Sequence, residues 1–109
     1  MATIDDFEGL ELRVGRIVEA GAFPEARKPA YKLTIDFGPL GIKRSSAQIT
    51  DLYSLDDLRG RLIVAVTNFP PRRIGPILSE VLVLGAADAG GRIALLAVER
   101  EVPLGTRIS

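Results

Sequence analysis

The 109-residue chain contains no cysteine, no histidine and no tryptophan. Without cysteine there is neither a disulfide nor a thiolate nucleophile. Without histidine, the commonest general base and metal ligand at neutral pH is missing. A catalytic centre would have to rest on Asp, Glu, Lys, Tyr or Ser. Asn, Gln and Met occur once each, and Arg outnumbers Lys. Few heat-labile residues fit a heat-adapted source, although coding bias would also favour Arg. No apolar run approaches the roughly 20 residues of a membrane span, so no membrane insertion is expected. The acidic start, Met1 to Leu10, lacks the basic and then apolar order of a secretory signal. A cytoplasmic location is expected.

Other signatures are missing too. There is no phosphate-loop glycine pattern, nucleophile elbow or metal-ligand cluster. Asp56 and Asp57 are adjacent where a helix starts, and acids favour first turns. Lys43 and Ser45 share one strand face, but nothing supplies an oxyanion hole for a Ser–Lys pair. Binding rather than catalysis is expected, with no metal and no cofactor.

What is present suffices for one core. Hydrophobic residues make up 47% of the chain, which fits a single domain over residues 1–109. Net charge is zero, but its distribution is uneven. Residues 1–25 balance at −4, residues 26–79 at +5 and residues 80–109 at −1. Folding can mix these charges or gather the basic ones on one surface.

Thr3 and Asp6 stand in capping-box spacing for a short helical turn, with Phe7 and Leu10 facing the body. Leu10 to Phe23 reads as a long strand whose apolar phase shifts across Gly15, which suggests a bulge or bend there. Pro24 to Ala30 is a loop. Tyr31, Leu33, Ile35 and Phe37 alternate with polar residues, the mark of a half-buried strand. Gly38 to Gly41 is a turn, and Ile42 to Ile49 returns as a strand. Ser54 and Asp57 cap a short helix through Leu58, which Gly60 stops. Arg61 to Phe69 is a further strand. Asn68 to Ser79 reads as a long, stiff, basic connection. Ser79 to Ala87 and Arg92 to Glu99 read as strands apolar on both faces, and the chain ends in a strand or clasp.

About five or six short strands without a long helix predict an all-β barrel or sandwich. The helix after the third strand favours a five-stranded OB-fold barrel. A short N-terminal helical turn and added C-terminal strands would complete it. Strands apolar on both faces need a second cover. A homodimer interface through Phe7, Val81, Val83, Ile93 and Leu95 is the expected one.

The basic residues define a candidate binding surface. Arg27 and Lys28 lie in the first loop and Lys32 on the second strand. Lys43, Arg44, Ser45, Ser46 and Gln48 lie on the third, and Arg72 and Arg73 in the long connection. Cations contact phosphates while Ser, Gln and Asn add neutral hydrogen bonds. Tyr31 and Phe69 could stack on bases, but Tyr31 shares the phase of Leu33 and Ile35, which favours the core.

Five segments in order carry a resemblance. LRVGRIVEA at 12–20, ARKPAYKLTIDFG at 26–38, SSAQIT at 45–50, VTNFPPRRIGPILSEVLVLG at 66–85 and PLGTRI at 103–108 resemble the CsaA proteins. These are secretion-associated chaperones within the wider class of EMAP II-like tRNA-binding domains. Pro24 to Pro29 replaces that class's His-Pro-x-Ala-Asp-like turn. Ser79-Glu80-Val81-Leu82 replaces its Ser-Glu-Gly-Met. Both departures point to the CsaA branch. The resemblance implies a cytosolic, non-catalytic homodimer that holds unfolded exported precursors and contacts the SecA motor. For the wider class it implies tRNA held by shape. It carries across Arg27, Lys28, Lys32, Ser45, Ser46, Gln48, Asn68, Arg72, Arg73, Ser79 and Glu80. A third possibility is a structural subunit docked on a larger enzyme.

Overall fold

The computed structural model describes all 109 residues. In chain order it contains α1 (Ile4–Glu8), β1 (Leu12–Ala22), β2 (Tyr31–Asp36), a 3₁₀ turn (Gly38–Leu40) and β3 (Ile42–Ala47). These are followed by α2 (Leu55–Leu58), β4 (Leu62–Val66), β5 (Arg72–Ile74) and β6 (Ile77–Ser79). The last strands are β7 (Leu82–Val83), β8 (Gly85–Ala87) and β9 (Ile93–Leu95).

Alternation in β2 sends Leu33 and Ile35 to the core, and Phe37 just beyond it follows the same phase. β2 pairs antiparallel with β1 on one side and β3 on the other. β4 pairs with β1, and β7 with β4, giving the order β3-β2-β1-β4-β7. The sheet curls until β3 meets the segment leading into β7. There the Glu80 amide donates to the Arg44 carbonyl at 2.8 Å. The result is a nearly closed five-stranded antiparallel barrel. Ile17, Leu33, Ile35, Phe37, Ile49, Leu58, Ile63 and Val81 belong to its main core.

The helix after β3 plugs this core. Ser54 and Asp57 form a capping box, and Leu58 is fully buried. Such burial contributes about 1.5–3 kcal/mol. Thr3 and Asp6 form the second capping box, on α1.

Three elements differ from the sequence expectation. The register of β1 on β2 shifts between Ile17 and Glu19, not at Gly15. Gly15 instead makes room for its neighbours: a Cβ there would lie 2.7 Å from Ile35 Cγ2 and 2.7 Å from Phe37 Cε1. The long connection contains a hairpin. β5 and β6 pair with each other across Gly75 and Pro76, with Gly75 at φ +55°. The expected strand 79–87 is broken into β7 and β8, because the chain leaves β4 and turns to pair with β9.

The tail does act as a clasp. The Val14 amide donates to Thr106 at 2.9 Å and the Ile108 amide to Leu12 at 2.8 Å. The Arg107 guanidinium donates to the carbonyls of Glu8 (2.6 Å) and Leu10 (3.2 Å).

Candidate functional site

The main concavity is an open groove of about 980 Å³ beside the barrel seam. One wall is the 25–30 loop, with Arg27 and Lys28 exposed. The other is the β5–β6 hairpin, with Arg72 and Arg73 exposed. Ser46, Gln48, Ser79 and Glu80 add polar groups between them. Val81, Val83, Ile93 and Leu95 form an apolar floor. Much of the expected binding surface and most of the expected dimer seam therefore border one space.

The other expected residues sit elsewhere. Ser45 is only 1% exposed, and its hydroxyl donates to the Val81 carbonyl at 3.0 Å. It lies opposite Leu33 in the inward phase of β3, so it fastens the seam from inside. Asn68 is fully engaged: its Oδ1 accepts from the Glu11 amide and its Nδ2 donates to the Gly9 carbonyl, both at 2.9 Å. Lys32, Lys43 and Arg44 lie outside the groove lining. Phe7 is 39% exposed and also lies outside it. Val81 is buried in the main core. Val83, Ile93 and Leu95 are partly buried against that core. Tyr31 packs on the core as well, and its hydroxyl donates to the Tyr53 carbonyl at 2.9 Å.

Most cations of the basic middle stay outside the ion pairs. The ion pairs involve Arg13, Arg16, Arg59, Arg92 and Arg100. Arg27, Lys28, Lys32, Lys43, Arg44, Arg72 and Arg73 take part in none of them. All seven come from the basic middle of the chain. Exposed cations left without carboxylate partners keep their full field for a ligand.

Several lining residues were not singled out from sequence as site residues. Glu25, Ile74, Leu82 and Leu84 belong to this group. The signal available for Leu82 and Leu84 was only their place in the apolar run. Phe69, considered as a stacking ring, lines the groove and is 42% exposed.

Residues 12–107 match the "Putative tRNA binding domain" family. The crystal structure of chaperone CsaA from Bacillus anthracis superposes with a TM-score of 0.94 and 53% identity, covering 100% of this chain and 99% of that one. The chain belongs to the CsaA branch of this tRNA-binding domain family. A second CsaA chaperone structure, from Picrophilus torridus, gives a TM-score of 0.93 and 49% identity, with 100% of both chains covered. The methionine–tRNA ligase of Thermococcus onnurineus is 39% identical over 104 residues, which are 95% of this chain but 14% of the ligase. The CsaA-like unit thus spans about one-seventh of the length of that curated relative. No group of three or more His, Cys, Asp or Glu side chains is placed to hold a metal ion. No helix is long and apolar enough to cross a membrane.

Proposed function

We propose that the chain is a non-catalytic, homodimeric export chaperone of the CsaA type that binds unfolded precursor polypeptides in the cytoplasm and hands them to SecA. The observation carrying this reading is the mixed character of the groove. An unfolded client offers apolar side chains and charges in no fixed order. An apolar floor under a rim of unpaired cations and neutral donors accepts many such orders. The 49–53% identity to CsaA chaperones over the full chain supports the same reading. Arg27, Lys28, Arg72 and Arg73 would hold acidic stretches, and Ser46, Gln48 and Ser79 would hydrogen-bond the client backbone.

Leu82 in the groove lining is 49% exposed, and Leu96, whose amide donates to the Leu84 carbonyl, is 44% exposed. A second copy of the chain would cover this flank and leave the cationic rim open. The test is suppression of aggregation of a denatured exported precursor at stoichiometric dimer. Normal aggregation, together with no co-migration of precursor and protein, would end this reading.

A second reading is tRNA recognition by shape. It is favoured by the family match and by the cations of the basic middle that stand outside the ion pairs, Arg27, Lys28, Arg72 and Arg73 among them. Backbone contacts carry no sequence information, so different tRNA species would bind alike. Affinity would fall steeply with salt. Undetectable binding at low salt would exclude it, and competition between tRNA and precursor would place both in one groove.

A further inference from the structure

The two cationic walls of the groove belong to different parts of the sequence, yet a small separate core joins them. Phe23, Ala30 and Ile77 are buried together, with Ala26 and Ile74 packed against them. None of the five is in the main barrel core. Phe23 and Ala30 flank the loop that carries Arg27 and Lys28. Ile74 and Ile77 are the last and first residues of the hairpin strands, opposite each other beside Gly75 and Pro76. The hairpin turn rests on the Phe23 ring: a Cβ built at Gly75 would lie 3.7 Å from Phe23 Cζ. Lys32 Nζ sits 5.7 Å from the centroid of the same ring, within reach of a cation–π attraction.

β5 and β6 pair only with each other. Towards β3, the hairpin is tied by the Ser79 hydroxyl, which accepts the Ser46 amide at 3.3 Å and meets the Ser45 hydroxyl at 3.4 Å. At its base the Glu80 amide adds one backbone bond to the Arg44 carbonyl at 2.8 Å, and no backbone ladder continues from there along the hairpin. Beyond that base, the small core packs against it.

We propose that Phe23 is a positioning residue: it locks the 23–30 loop and the β5–β6 hairpin into one clamp, so that Arg27, Lys28, Arg72 and Arg73 face a ligand together. This rests on the groove being the ligand site. Four cations held at fixed spacing act as one field, whereas cations on two independent loops each lose ordering entropy when a ligand binds. The clamp also separates binding from folding, because its core is outside the barrel's.

The experiment compares Phe23→Ala, Phe23→Leu and the double variant Arg72→Ala/Arg73→Ala with the parent protein. The probe is an acidic, chemically denatured polypeptide, titrated by fluorescence anisotropy over a range of salt. Far-ultraviolet circular dichroism checks the barrel. Phe23→Ala is expected to keep the barrel, weaken binding about fivefold or more and flatten its salt dependence, since several weak surface charge contacts are lost together. Phe23→Leu refills the small core and is expected to restore most of the affinity. Should Phe23→Ala fail to fold, Ile77→Ala removes the opposite side of the same core and must give the same loss.

Parent-like affinity and salt dependence in these core variants, alongside weak binding by Arg72→Ala/Arg73→Ala, would overturn the clamp and leave the groove in place. Parent-like binding by Arg72→Ala/Arg73→Ala would overturn the groove reading and the clamp with it. If a parallel tRNA titration of the same variants shows lost affinity while polypeptide binding stays parent-like, the clamp serves RNA and the proposal for polypeptide fails.

Discussion

Glu80 and Arg44 hold each other twice across the barrel seam. The Glu80 amide donates to the Arg44 carbonyl at 2.8 Å, and the Arg44 amide donates to the Glu80 carboxylate at 3.1 Å. A side chain thus replaces a strand carbonyl at the point where the sheet closes. Glu80→Ala would leave the Arg44 amide without a protein acceptor and is expected to cost about 1–2 kcal/mol. Glu80→Gln keeps an acceptor and should recover most of that. Urea denaturation of the two variants checks the order; equal losses would show that the carboxylate's charge matters more than the bond.

Gly15 tests how tightly β1 packs over the aromatic end of the core. Gly15→Ala would press its methyl to 2.7 Å from Ile35 Cγ2 and Phe37 Cε1. Overpacking of this kind costs about 1–3 kcal/mol. A melting temperature unchanged from the parent would show that the Phe37 ring can move aside.

The α2 cap should contribute to acid sensitivity. Hydrogen bonds from the Ser54 amide and then the Ser54 hydroxyl environment hold the Asp57 carboxyl below its usual 3.8. A lowered folded-state value means that this stabilisation is complete above the unfolded value. It is lost as pH falls below 3.8 and through the folded value. Asp57→Asn should therefore shallow the stability decline in that acid window. Ser54→Ala should remove about 1 kcal/mol at neutral pH. Thermal melts against pH read both, and an Asp57→Asn curve parallel to the parent's would count against the cap.

The apolar flank predicts an oligomer. Leu82→Glu and Leu96→Glu alter exposed side chains and should change monomer stability by only about 0.5 kcal/mol. Either charge would be desolvated against a second copy, so both variants should sediment as monomers while the parent sediments as a dimer. Parent-like sedimentation of both would place any dimer contact elsewhere.

Local signals were the most legible in the sequence. Ser54 with Asp57 and Thr3 with Asp6 announced their caps because the bonds span three residues. Strict alternation from Tyr31 to Phe37 announced β2. The hairpin was hidden because β5 and β6 are three residues each, too short for a period to repeat. Gly15 gave a misleading signal: its purpose depends on Ile35 and Phe37, about twenty residues away, which local phase cannot reveal. The cations were legible as a group because the central acids are too few to neutralise them. Ser45 was not, since a small polar residue facing inward looks like one facing water until its acceptor on Val81 is known.

The clasp joining Leu12 and Val14 to residues 105–108 brings the two ends of the chain together on β1. Residues 1–22 and 96–109 contribute nothing to the groove lining. The groove and the joined chain ends therefore lie on different parts of the domain. Further polypeptide could be joined at either end without threading past the clamp. An architecture wired in this way is portable, because a fusion at either end leaves the groove lining untouched.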